Sequence, residues 1–208
     1  MELHEALAQI AEIRQQMART EVFRGYRAVP VAFSGLLAIG AALYQSWWIR
    51  DPIADLPTYL ALWVGAAVLS AIAAGLGMAW RARHAPPSSW SREITTMAVE
   101  QFAPSVVAGG LVTIALVRTA EECLWMLPGL WSILFGLGIF ASKRLLPRAT
   151  TAVAVFYLMA GLACLELARG PHALSPWAMG IPFGVGQFLA AAVLYGTLER
   201  QDGHQEAQ

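Results

Sequence analysis

Charge is what this chain lacks most. Only 13% of its 208 residues are Asp, Glu, Lys or Arg, about half the share usual in a soluble domain. The formal net charge is zero, so no basic surface for nucleic acid is expected. Lysine occurs once, as Lys143 at the end of an apolar run, which excludes a retinal Schiff base inside a span. Cysteine occurs twice, as Cys123 and Cys164, without a CxxC or second pair for a thiol oxidoreductase. The four histidines, His4, His84, His172 and His204, lie outside the apolar runs, so none can face another across a haem within the helices. There is no Walker loop, GxSxG or HExxH, and no cofactor is expected. The opening residues are polar, unlike the basic-then-apolar start of a cleaved signal peptide, so no cleavage is expected.

What the chain has is apolar length: 57% of it is hydrophobic, gathered in blocks. A bilayer core needs about 20 mostly apolar residues in a helix. Six blocks qualify: roughly 28–48, 58–80, 102–117, 124–142, 151–168 and 176–198. The expectation is therefore an all-α polytopic membrane protein. Residues 1–26 would form a cytoplasmic amphipathic helix, 27–200 a six-helix transmembrane domain and 201–208 a polar tail. Sidedness follows from the cations, which favour the cytoplasmic ends of spans. Eleven of the fourteen lie before the first span or after the second, fourth and sixth, leaving Arg50, Arg118 and Arg169 in the opposite loops. Both termini are thereby assigned to the cytoplasm. Trp47, Trp48, Trp125 and Trp177 would form an outer interfacial belt, with Trp80 at the inner one.

In the N-terminal segment, Leu3, Ala6, Ile10, Ile13, Met17 and Thr20 recur at spacings of three and four. That stripe suits a helix lying on the membrane, a self-association seam or a docking helix for a soluble protein, and the three readings stay open. Within the spans, small residues mark close helix approach. Ala67, Ala71, Gly75 and Ala79 repeat every four residues in the second span, and Gly180 and Gly184 form a GxxxG in the sixth. Pro182, and Pro128 with Gly129, would loosen their helices, a pointer to a cavity. A shift of 62 aligns Leu62 and Trp63 with Leu124 and Trp125, and a shift of 74 aligns Pro30 with Pro104 and Gly35 with Gly109. Three related hairpins are one expectation from these matches, and an inverted repeat of three plus three is the other.

Side chains that could carry chemistry gather at one depth. Glu121, Glu122 and Cys123 open the fourth span, Cys164 and Glu166 close the fifth, and His172 follows. At the interface they suffice as a polar cap that reaches water. A Cys123–Cys164 disulfide on an oxidising side and a divalent-metal site of the carboxylates and imidazole are the sharper alternatives. At mid-depth, Gln187 with Ser70 and Ser132 would line a polar route, or Gln187 would bond a neighbouring helix. No ionisable residue lies there, which argues against a buried proton relay.

The stretches LHEALAQIAEIRQQMARTEVFRGYRAVPVAFSGLL, LPGLWSILFGLGIFAS and SPWAMGIPFGVGQ resemble a group of small bacterial six-span inner-membrane proteins. The resemblance implies an inner-membrane location and a cytoplasmic N-terminal helix, and it carries over no activity or catalytic residue. The function expected from the whole is that of a non-enzymatic, oligomeric membrane protein. Its N-terminal helix would serve assembly or a cytoplasmic protein partner. The alternative is a small-solute or ion transporter whose acidic mouth is Asp51, Asp55, Glu121, Glu122 and Glu166. A third expectation is a membrane enzyme built on the outer Cys/Glu/His cluster.

Overall fold

The computed structural model describes residues 28–84, 89–143 and 146–199, and every regular element among them is helical. The segment containing Leu3, Ile10, Ile13 and Met17, and the tail 201–208, lie outside the described residues. Among the described residues there are six α-helices: α1 (Ala28–Trp48), α2 (Leu56–His84), α3 (Ser89–Thr119), α4 (Leu127–Ala141), α5 (Thr150–Leu167) and α6 (Pro176–Leu194). A 3-10 segment, Glu121–Met126, leads into α4, another, Gly170–His172, lies between α5 and α6, and a π-helical turn, Tyr195–Glu199, follows α6. With its 3-10 lead included for α4, each helix is long and apolar enough to cross a membrane. The loops after α1, α3 and α5 share one end of the bundle, called the outer end here after the charge assignment.

Two helix boundaries lie outside the apolar blocks for local reasons. The third span continues a helix that starts at Ser89 and carries Pro104 within it. Polar residues such as Arg92 and Glu93 are compatible with helix, so hydropathy marks where membrane begins rather than where helix begins. The fourth span opens as a 3-10 segment because Pro128 has no N–H to give to Leu124. Leu127 instead donates its N–H to the Leu124 carbonyl, and Pro128 then sits in the first turn of α4, where no donor is missed. The expected loosening at Pro128 and Gly129 is therefore a helix start rather than a break. Pro182 lies within α6 and is buried.

Helix α1 packs most extensively on α6, and α4 on α5. Helix α2 lies against α1, α3 against α4, and α5 against α6, whereas α2 and α3 do not pack extensively on each other. Glycines set the closest seams. A Cβ at Gly129 would lie 2.8 Å from the Gly161 carbonyl, and one at Gly161 would lie 2.7 Å from the Gly129 carbonyl. The expected GxxxG of α6 meets α1, since a Cβ on Gly180 would lie 2.6 Å from that of Ala42. The small stripe of α2 behaves otherwise: Ala67, Ala71, Gly75 and Ala79 are all exposed, and no neighbour lies within 4 Å of a Cβ placed at Gly75.

The main core lies toward the outer end. Ala38, Ala41 and Ala42 of α1 meet Tyr59, Trp63, Leu124, Leu127, Leu174 and Met179 there, all buried. A second, smaller core at the opposite end joins α1 and α6 through Ala28, Val31, Ala191 and Leu194. Buried residues make up 28–39% of the span windows of α1, α5, α6 and the fourth span, against 6% in α2 and none in α3. Among the described residues, α2 and α3 each pack extensively on one neighbouring helix.

Candidate functional site

At the outer end a polar knot ties three parts of the chain together. Gln45, in the penultimate turn of α1, is fully buried. Its Nε2 donates to the Leu174 carbonyl at 2.7 Å, and its Oε1 accepts from the Trp63 indole N–H at 2.8 Å. The short link from Trp48 to Leu56 folds α2 back along α1 and sets Gln45 against Trp63. A buried carboxamide is tolerable only when so paired. Leu174 belongs to the loop between α5 and α6, yet its side chain has no exposure. Its backbone is left-handed, with φ of 54°, and Gly170 in the same loop has φ of 56°. Glycine adopts that conformation freely, but a leucine does not.

Beside this knot, Tyr59 is fully buried one turn before Trp63 on α2, and its hydroxyl has no hydrogen-bond partner among the described residues. The Cys164 thiol is half-buried and donates to the Ala178 carbonyl at 3.2 Å, which joins α5 to α6.

The expected outer cluster divides between two surfaces. Cys164 and His172 line a groove of about 290 Å³ between α5 and α6, with Ala160, Leu167, Trp177 and Pro182. Glu121, Glu122 and Cys123 lie on the 3-10 segment outside that groove, both carboxylates exposed, and Glu166 is exposed on α5. No three His, Cys, Asp or Glu side chains among the described residues come together as a metal site. Both thiols are free, so the expected alternative of a disulfide is not formed here. Instead Arg169 bridges the two surfaces: its guanidinium stacks 4.9 Å from the Trp125 ring, and its Nε donates to the Leu165 carbonyl at 3.0 Å. Trp47, Trp48, Trp80 and Trp177 are exposed at helix ends, where an interfacial belt needs them.

The three residues of the expected mid-depth route make no hydrogen bond to one another among the described residues. Ser70 bonds its own helix through Ala66, at 2.8 Å. Ser132 is fully buried, and its hydroxyl has no partner among the described residues. Gln187 is half-buried on α6 beside Gly35 of α1 and makes no hydrogen bond among the described residues. An aromatic cluster occupies the centre. Phe135 of α4 contacts Phe102, Tyr157 and Phe183 at centroid distances of 5.1, 4.8 and 5.5 Å. That packing joins α3, α4, α5 and α6 through their rings.

Sequence reasoning missed Gln45, Tyr59 and Leu174. Gln45 had a readable signal, as the only carboxamide or charged side chain inside the first apolar block. Leu174 had none, because an apolar loop residue looks the same whether it faces lipid or plugs a core. No protein-family model matches the chain, and neither a curated protein nor a solved structure is significantly similar to it.

Proposed function

We propose that this is a bacterial inner-membrane protein that acts by association, with further copies of itself in the bilayer and with a cytoplasmic protein through its N-terminal helix, rather than by catalysis. The observation that carries the reading is the asymmetry of burial. Helices α2 and α3 bury 6% and none of their span windows, while the other four spans bury 28–39%. Membrane helices associate through close backbone approach, and α2 presents its stripe of Ala67, Ala71, Gly75 and Ala79 outward. Lipid gains nothing from small residues there, whereas a second helix does.

Two comparisons test it. Full-length protein and a form lacking residues 1–26 are extracted in mild detergent, and the protein mass and companions of each complex are recorded. Loss of an oligomer or of a specific protein on deletion supports the N-terminal role, and unchanged mass and companions remove it. In a background with both native cysteines replaced by Ser, Ala71→Cys should form a crosslinked dimer in membranes. A purely monomeric Ala71→Cys protein would count against the bilayer interface.

The transporter reading retains one supporting observation, the half-buried Gln187 amide without a partner among the described residues. The aromatic centre around Phe135 weighs against it. Solute flux in liposomes that is lost on Gln187→Leu would restore it.

A further inference from the structure

Three observations converge on the outer end of the bundle. Leu174, a loop residue, is inserted in the main core with no exposure and a left-handed backbone. Such a conformation persists only where its surroundings enforce it. The enforcing contact is the Gln45 carboxamide on the Leu174 carbonyl, held on its other side by the Trp63 indole. In the same core, the buried Tyr59 hydroxyl has no partner among the described residues. A buried polar group left unpaired disfavours the state that buries it.

We propose that Leu174 is a plug and that the Gln45–Trp63 pair is its latch: together they hold the outer end closed, and release of the latch lets the α5–α6 loop lift and water reach Tyr59. The closed state carries two costs, the Leu174 backbone and the orphaned Tyr59 hydroxyl. Both are relieved on opening, when Leu174 leaves its constrained conformation and the phenol bonds water. Two hydrogen bonds and the burial of the leucine side chain oppose them. These opposed contributions narrow the gap between the closed and open forms, and a ligand or partner that prefers one form shifts the equilibrium between them. Oligomer formation through α2 does not enter the argument, so this proposal and the association reading stand or fall separately.

Hydrogen–deuterium exchange on the full-length protein in lipid bilayers tests the latch. The peptide covering 168–175 reports the loop, whose amides bond within it, as Ala173 to Gly170 and Ser175 to His172. Peptides from α4 and α5 report the intact bundle. Gln45→Ala should speed exchange of the loop about tenfold or more, with α4 and α5 unchanged. Trp63→Phe should act in the same direction and by less. Tyr59→Phe should do the opposite and slow the loop below wild type, because it removes the group that opening satisfies. A simple structural tie predicts no such protection. Unchanged loop exchange in Gln45→Ala with an intact bundle overturns the latch, and unchanged or faster exchange in Tyr59→Phe overturns the switch. Should Gln45→Ala lose protection throughout, Trp63→Phe decides: local acceleration supports the latch, while no change or global loss overturns it.

Discussion

Replacing Gly161 by Ala probes the α4–α5 seam, where two backbones approach closely. The added methyl would lie 2.6 Å from the Ile133 side chain, 2.7 Å from the Gly129 carbonyl and 3.0 Å from the Ile133 backbone nitrogen. Relaxed carbon contacts are about 3.5–4.0 Å, so α4 and α5 must separate by roughly an ångström. The Ile133 side chain can rotate, but the two backbone atoms move only with α4. Overpacking of this kind costs about 1–3 kcal/mol. For a chain of this size each kcal/mol corresponds to roughly 2–4 °C in Tm, which places the fall at roughly 2–12 °C. Gly75→Ala is the matched control, since no atom lies within 4 Å of its added methyl, and the helix gains up to about 1 kcal/mol in propensity. The assay is the fraction of protein still monodisperse in mild detergent after stepwise heating. If Gly161→Ala melts with wild type, or if Gly75→Ala falls as far, the α4–α5 crossing is not as described.

Trp63→Phe and Trp131→Phe each remove one indole donor, yet the first should lower the melting point more. It leaves the buried Gln45 oxygen unpaired, at about 1–3 kcal/mol, whereas Thr113, acceptor from Trp131 at 2.9 Å, is only half-buried and keeps its bond to the Gly109 carbonyl. Equal melting points would refute that ranking. Alkylation in denaturant without reductant should add two labels per chain, at Cys123 and Cys164, as free thiols require; mass spectrometry showing none would mean a disulfide. Gln187→Leu should leave the melting point unchanged or higher, because the amide forms no bond among the described residues that is lost. A fall of several degrees would show that Gln187 has a partner outside the described residues.

The same pair of indoles shows how far the repeat was legible. Trp63 donates to Gln45 and Trp131 donates to Thr113, in each case 18 residues earlier on the preceding helix. Each indole thus ties its helix to the preceding one at the same sequence spacing, and neither bond involves Trp125, which the shift of 62 set against Trp63. Apolar sequences match at many offsets, and only a contact selects one. The small residues were legible in kind but not in use. Gly180 and Gly184 pack on α1 as their spacing implies, while the equally regular stripe of α2 faces outward. The polar residues divided similarly: Glu121, Glu122, Cys164 and His172 lie at the expected end, but the deeply buried pair there is Gln45 and Trp63.

By itself the sequence determined that six helices long and apolar enough to cross a membrane exist, and nearly where each apolar span begins and ends. Those are local properties. A span must satisfy its own backbone hydrogen bonds and be apolar over about 20 residues, and both conditions are met within one segment. The tertiary structure alone decided that α1 lies on α6, that Gln45 closes on Leu174, and that α2 and α3 remain at the margin. In water, the polar face of a helix tells which side is out. Lipid tails are as apolar as leucine, so hydropathy does not distinguish the face toward a neighbour from the face toward the bilayer, and packing makes that choice.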